Sequence, residues 1–214
     1  PPSKAYVKPK PVADTVKPGL EEWFERRSLP WAVVKHQRVS LTHTYFPQVE
    51  DELEAIAFPY YRAGELINIK FRALHEKYFR MVPKAERILY GLDDIQGDTL
   101  IWCEGELDKL SVQAAGFLSS VSVPDGAPAP TTKNYERKFD YLESALPFLA
   151  GIQRHILAVD TDEPGRTLAR ELARRLGPEK CWLVEWSSDC KDANEVLMSY
   201  GIETLRECLE NAKA

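Results

Sequence analysis

The spacing of apolar and polar residues divides the chain into two regimes. Residues 54–61 (EAIAFPYY) and 65–74 (ELINIKFRAL) flank Arg62-Ala63-Gly64, and Ile67, Ile69 and Phe71 alternate with Asn68, Lys70 and Arg72. Period-two alternation on both sides of a short glycine-bearing turn predicts an antiparallel hairpin, with KYFRMV (77–82) as a third strand. A short helix is expected ahead of it at 20–29, LEEWFERRSL, whose acids come first and arginines last. From residue 99 the pattern changes to strand followed by helix. TLIWC (99–103), FLSSVSV (117–123), HILAV (155–159) and CWLVEW (181–186) read as buried strands. The helices are 106–116, 136–149 as far as Pro147, 165–177 and 201–212. In the third of these, Leu168, Ala169, Leu172, Ala173 and Leu176 form one apolar stripe that stops at Gly177. Such alternation specifies an α/β fold, a parallel sheet covered by helices on both faces, with its chemistry at the carboxyl ends of the strands.

Charge sharpens this division. The chain of 214 residues has a net charge of -5, which excludes a uniformly basic nucleic-acid surface. Yet Arg62 to Arg87 holds seven basic residues against three acids, a local balance of 7 - 3 = +4. On a pleated sheet these cations share a face, and that face either lies along phosphates or is simply solvated. Residues 1–19 contain five of the fifteen prolines and four lysines with one acid, the composition of an extended tether, with a frayed terminus as the alternative. On this reading the sequence is an excerpt of a larger protein with no targeting segment in it, divided into a linker (1–19), a small basic α+β subdomain (20–94) and an α/β domain (95–214). The longest stretch without polar side chains, Ala145 to Ile152, is far short of a bilayer span, so no membrane partner is expected. Cys103, Cys181, Cys190 and Cys208 lie 78, 9 and 18 residues apart, spacings that build no zinc module, so free thiols and no zinc are expected.

Three strand ends carry acids. TLIWC runs into Glu104-Gly105-Glu106-Leu107-Asp108, HILAV into Asp160-Thr161-Asp162-Glu163-Pro164-Gly165, and CWLVEW is followed by Lys191-Asp192-Ala193-Asn194. Each acid alone is equally well a helix cap or a surface carboxylate. Gathered on one sheet edge, Glu104, Asp160, Asp162 and Asp192 would repel one another, and a divalent cation is the simplest relief.

E-G-x-x-D after a strand, D-x-D-x-x-G about fifty residues later and then K-D-A-N resemble the TOPRIM domain, a Rossmann-like fold shared by bacterial-type primases, type IA and type II topoisomerases and related nucleases. EGELDKLSV, the PDGAP turn at 124–128, AVDTDEPGR and CKDANEVL further resemble the primase half of the phage-type primase-helicases, the Twinkle family, and most closely its plant organellar branch. The resemblance covers residues 20–212 and implies DNA-dependent RNA primer synthesis on single-stranded DNA, fed by ribonucleoside triphosphates and two Mg²⁺ or Mn²⁺ ions, in a mitochondrion or chloroplast. It implies Glu104, Asp160, Asp162 and Asp192 as metal ligands. Asp108 and Lys191 join those four as catalytic positions, with Glu104 doubling as general base. It implies Asn194, Arg166 and the cations Arg62, Lys70, Arg72, Lys77, Arg80 and Lys84 as contacts to nucleotide and template. In the animal branch the acids and the primase activity are lost together, whereas Glu104, Asp160 and Asp162 stand here. The family's upstream zinc-binding module and downstream helicase, expected partners in a full-length protein, are not in this sequence, which has no G-x-x-x-x-G-K-[ST]. The alternatives are a non-catalytic single-stranded DNA-binding module and another TOPRIM enzyme, a nuclease or topoisomerase fragment.

Overall fold

The computed structural model describes residues 5–12, 18–187 and 189–214. Two short helices open it, α1 (Pro18–Glu25) and α2 (Trp31–His36). An antiparallel sheet follows in the order β1-β2-β3-β4, from β1 (Ser40–Phe46), β2 (Asp51–Arg62), β3 (Glu65–Ala73) and β4 (Phe79–Met81). A second, parallel sheet has the order β6-β5-β7-β8, from β5 (Thr99–Cys103), β6 (Ser120–Ser122), β7 (Arg154–Ala158) and β8 (Cys181–Leu183). Its connections contain α3 (Glu106–Ala114), α4 (Tyr135–Lys138), α5 (Tyr141–Leu149) and α6 (Glu163–Leu176), and α7 (Ala193–Glu210) closes the chain. This is the expected α/β architecture of a parallel sheet preceded by a smaller antiparallel unit. Among the described residues no helix is long and apolar enough to cross a membrane, and all four cysteines are free thiols.

Several boundaries differ from the expectation, each for a local reason. β1 and α2 carried too little apolar signal: the middle of SLTHTYF is polar because β1 is an edge strand, and WAVVKH is a six-residue turn of helix behind Pro30. The segment 117–123 pairs only at 120–122, because Phe117 N–H still bonds the Val112 carbonyl in closing α3. The stretch 136–149 divides into α4 and α5, and α5 continues through Pro147. α7 begins at Ala193, eight residues before Gly201, and kinks there at φ 84°.

The antiparallel sheet is covered on both sides. Ile56, Phe58 and Tyr60 of β2 belong to the large core that also holds Tyr90, Trp102 and Leu110, so one hydrophobic core joins both sheets. The opposite face packs Phe46, Ala55, Ala57, Ile69 and Phe71, with Val12 against them. Of the residues read as a tether, 1–4 and 13–17 lie outside the described residues. The described part is mostly exposed but attached at points: Pro9 is buried, Val7 N–H bonds the Lys84 carbonyl at 3.0 Å, and Lys8 pairs with Glu65.

Gly165 makes the β7-to-α6 turn possible. A Cβ at this position would stand 2.1 Å from the Asp160 carbonyl oxygen. Backbone cannot yield as a flexible side chain does, so Gly165→Ala is expected to lower unfolding stability by about 1–3 kcal/mol. At Gly151, where nothing lies within 4 Å, alanine should be neutral or stabilise by up to about 1 kcal/mol. Denaturant titration of both variants checks the contrast, and equal effects would contradict it.

Candidate active-site cleft

The carboxyl end of the parallel sheet faces the antiparallel sheet across a cleft of about 520 Å³. The end of β5 and the first turn of α3 contribute Glu104, Glu106 and Asp108, the end of β7 Asp160, and the approach to α7 Lys191 and Asp192. The loop after β6 adds Pro124, Asp125 and Gly126. From the other side come Lys70 and Arg72 of β3 and Phe79, Arg80 and Met81 of β4. Lys70 and Arg72 do share a face, as the alternation predicts, but it is the face turned toward the parallel sheet. The cations therefore look across at the acids.

The acids are held in an environment that disfavours their charge. Glu104 Oε1 accepts a hydrogen bond from Ala127 N–H at 3.2 Å, while Oε2 is buried with no partner among the described residues. The Asp160 backbone N–H is close enough to ease its charge but not in bonding geometry. Burial, then repulsion from Asp160, pushes the Glu104 carboxyl up from 4.5 to about 7. Asp108, buried and accepting from Asn194 N–H at 3.2 Å, is held well above the carboxylate range by burial and by Asp192 and Asp160. Asp160 is raised by burial, with Lys191 opposing the shift. The Lys191 ammonium bridges the two aspartates, 3.2 Å from Asp160 Oδ2 and 3.1 Å from Asp192 Oδ2. Burial opposes its charge, but Asp160 and Asp192 outweigh that and raise its pKa.

The remaining expected residues are dispersed. Asp162 lies outside the cleft lining, where it caps α6 by accepting from Gly165 N–H at 2.9 Å. Asp192 likewise caps α7 through Glu195 N–H at 2.8 Å. Arg166 pairs with Glu163 at 3.2 Å and donates to the Thr161 carbonyl. Asn194 anchors α7, donating to the Arg27 carbonyl at 3.1 Å and to Ser111 Oγ at 3.0 Å. Arg62 is engaged bidentately by Glu86 at 2.7 and 2.9 Å. Lys77 and Lys84 are exposed and do not line the cleft. Arg80 lines it while donating to Thr44 and to the Tyr45 carbonyl.

Two residues, Glu106 in the cleft and Lys138 behind its Asp125 loop, carried no signal of their own in the sequence. Glu106, one turn position from Glu104, receives Lys70 Nζ on both carboxylate oxygens, at 2.9 and 3.0 Å, and the Tyr60 hydroxyl. It is a buried acid at a helix start, and in the sequence it is indistinguishable from one placed there for the helix dipole. Lys138, on α4, donates to the Asp125 carbonyl at 2.9 Å, and burial lowers its pKa. Arg72, by contrast, has a buried Nη1 with no hydrogen-bond partner and stacks its guanidinium 4.6 Å from the Trp23 ring centre.

Among the described residues no three His, Cys, Asp or Glu side chains stand grouped as a ready-made metal site. The donor chemistry nevertheless fits a hard divalent cation. Several oxygen donors raise one another's pKa, one buried oxygen of Glu104 is unpartnered, and a lysine ammonium stands between two of the aspartates.

The raised pKa of Glu104 makes stability depend on pH with a definite sign. Its folded value lies above the unfolded one, so the native state binds more protons between pH 4.5 and about 7, and stability falls as pH rises through that window. Asp108 and Asp160, also raised, act in the same direction. Glu104→Gln removes one ionising group from the cluster. In chelator-treated protein it is expected to match the original chain near pH 4 and to melt at higher temperature at pH 8. Parallel melting curves from pH 4 to 8 for both proteins would sink this account.

Comparison with known proteins fits this geometry. A family profile described as Toprim-like matches residues 101–197, which include every acid of the cleft. The chain is 39% identical over 206 residues to the Twinkle homolog protein, chloroplastic/mitochondrial, of Arabidopsis thaliana, covering 91% of this chain and 28% of that protein. It is 38% identical over 219 residues to the Primase homolog protein of the same plant, covering 97% and 62% respectively. The chain thus spans less than two thirds of the length of either relative. Among solved structures, the primase fragment of the bacteriophage T7 primase-helicase protein superposes with a TM-score of 0.68 at 22% identity, over 86% of this chain and 72% of that one, a likeness of fold. The resemblance carried by E-G-x-x-D, D-x-D-x-x-G and K-D-A-N therefore holds: the chain carries a Toprim-like region, and these two plant proteins are its homologues.

Proposed function

We propose that the cleft joins ribonucleotides on a single-stranded DNA template, making RNA primers. The observation that carries this reading is the opposition of Glu104, Asp108, Asp160 and Asp192 to Lys70 and Arg72 across one cleft. Neither side alone is specific, but acids facing cations across one cleft suit a reaction on polyphosphates. Glu104, Asp160 and Asp192 would hold Mg²⁺ or Mn²⁺, which supplies Lewis acidity toward phosphate oxygens and a lowered pKa for the attacking hydroxyl. Asp162, which caps α6 beside this set, is the fourth ligand that the family resemblance implies.

The chain's own groups have definite tasks in this scheme. The 3′-hydroxyl oxygen of one nucleotide forms a bond to the α-phosphorus of the next, the bond to the bridging oxygen breaks, and pyrophosphate leaves. The hydroxyl proton passes to Glu104, the carboxylate that the family resemblance implies as general base. Arg72, which lines the cleft, takes a phosphate oxygen, while Arg80, paired in register with Phe71 and bonded to Thr44 and the Tyr45 carbonyl, is an outer cation for the template that the family resemblance implies. Lys191 screens the repulsion between Asp160 and Asp192 until substrate enters, then is free to meet phosphate itself. The plant relatives place such a region within a longer polypeptide, one of them named chloroplastic/mitochondrial. We extend both features to this chain as part of the proposal: an organellar setting, and work alongside zinc-binding and helicase modules.

The test is extension of a short RNA annealed to single-stranded DNA, with labelled ribonucleotides and Mg²⁺ or Mn²⁺. The expected result is metal-dependent extension that falls at least about 100-fold in Asp160→Asn, in the range typical for loss of an electrostatic catalytic group. Binding to single-stranded DNA should persist or strengthen in that variant, since a negative charge has been removed. Binding without extension by the original chain would instead assign it a non-catalytic hold on single-stranded DNA.

A further inference from the structure

The cleft has one feature that phosphate and metal chemistry leaves unused. Phe79, on β4, is 43% exposed, whereas the other large apolar side chains that line the cleft, Phe58, Met81 and Leu107, are buried or half-buried. Its neighbour across the cleft wall, Phe58, is by contrast buried in the core. Phe79 pairs in register with Arg72, and Lys70 pairs with Met81, so strand alternation sets these four side chains on one face. The Phe79 ring centre lies 5.6 Å from Lys70 Nζ and 5.8 Å from the Arg72 guanidinium carbon. Gln48 Nε2 holds the Phe79 carbonyl at 2.8 Å, which fixes the strand from outside the cleft. A fixed aromatic face open to solvent, with cations one phosphate's reach away, matches a nucleotide better than it matches a phosphate alone.

We propose that Phe79 is a stacking platform for a nucleobase in this cleft, with Arg72 receiving the phosphate attached to it. This deepens the primase reading and rests on it. Stacking favours any base because every base has a π-face, so the platform orients the strand or the nucleotide without selecting sequence. The base belongs either to the template or to a ribonucleotide, and the two sources are separated by the binding partners compared.

The experiment measures affinity, by fluorescence anisotropy or competition, for four probes: an oligothymidylate, an abasic oligomer of the same length, ATP, and inorganic tripolyphosphate. The proteins are the original chain, Phe79→Ala and Phe79→Trp. The expected result is a loss in Phe79→Ala of about 5- to 100-fold, the range of one base-aromatic stack, on a base-bearing probe. The matched base-free probe should bind unchanged, with the same salt dependence. Phe79→Trp should restore the loss. A deficit confined to oligothymidylate assigns the base to the template, and one confined to ATP assigns it to the nucleotide. Equal changes on base-bearing and base-free probes, or no change on either, overturn the platform while leaving the primase reading intact. An original chain that binds none of the four probes overturns both.

Discussion

A single buried carboxylate sets the geometry of the cleft. Glu106 sits at the first position of α3 and accepts both Lys70 from β3 and the hydroxyl of Tyr60 from β2, so the antiparallel sheet is pinned to the helix that follows the first acidic loop. Lys70 and Glu106 are nearly inaccessible, at 12% and 6% exposure. Removing one partner of such a pair leaves an uncompensated buried charge, which costs about 3–5 kcal/mol. The pairing also determines what is left over. Lys70 is neutralised internally, whereas Arg72, two residues further along β3, keeps a buried Nη1 with no hydrogen-bond partner among the described residues.

The acids opposite are held by a different compromise. Asp162 and Asp192 cap α6 and α7, so the same carboxylates that crowd the sheet edge also begin the helices that lead away from it. Capping contributes about 1 kcal/mol apiece, and it is fully compatible with a second oxygen turned toward a cation. Lys191 then stands as an internal counter-ion between Asp160 and Asp192. This offsets part of the repulsion, and the raised carboxyl pKa values of Glu104, Asp108 and Asp160 express what remains together with burial. Sites tuned for reactivity commonly trade stability in this way.

The parts legible in the sequence were those with an unambiguous physical period. β5 and β7 are buried on both faces, so they appear as unbroken apolar runs, and the α6 stripe repeats at helical spacing. Acids at the ends of those runs consequently fall on one edge of a parallel sheet. The role of Gly165 was not legible: the motif contains the glycine, but only the fold shows that a Cβ there would stand 2.1 Å from the Asp160 carbonyl oxygen. The direction of the basic face was not. Alternation in β3 says that Asn68, Lys70 and Arg72 point together, but only the tertiary packing of Ile56, Phe58 and Tyr60 into the common core says toward what. β1, with a polar middle on a sheet edge, carried no period to read.

The motif K-D-A-N illustrates how one short sequence serves fold and chemistry together. Lys191 and Asp192 face the cleft, whereas Asn194 turns away from it and ties α7 to Asp108, Ser111 and the Arg27 carbonyl. Asp108 is thereby coupled to both sides: its carboxyl receives the Asn194 N–H while its charge is disfavoured by Asp192 and Asp160. Through Arg27, whose guanidinium stacks 3.3 Å from the Trp23 ring centre, the same asparagine reaches the aromatic side chain against which Arg72 rests. The acids and the unpaired arginine thus share one packed chain of contacts. A change at Asn194 is accordingly a change in the alignment of the two walls of the cleft, although its side chain touches neither the acids' outer oxygens nor anything that would enter between them.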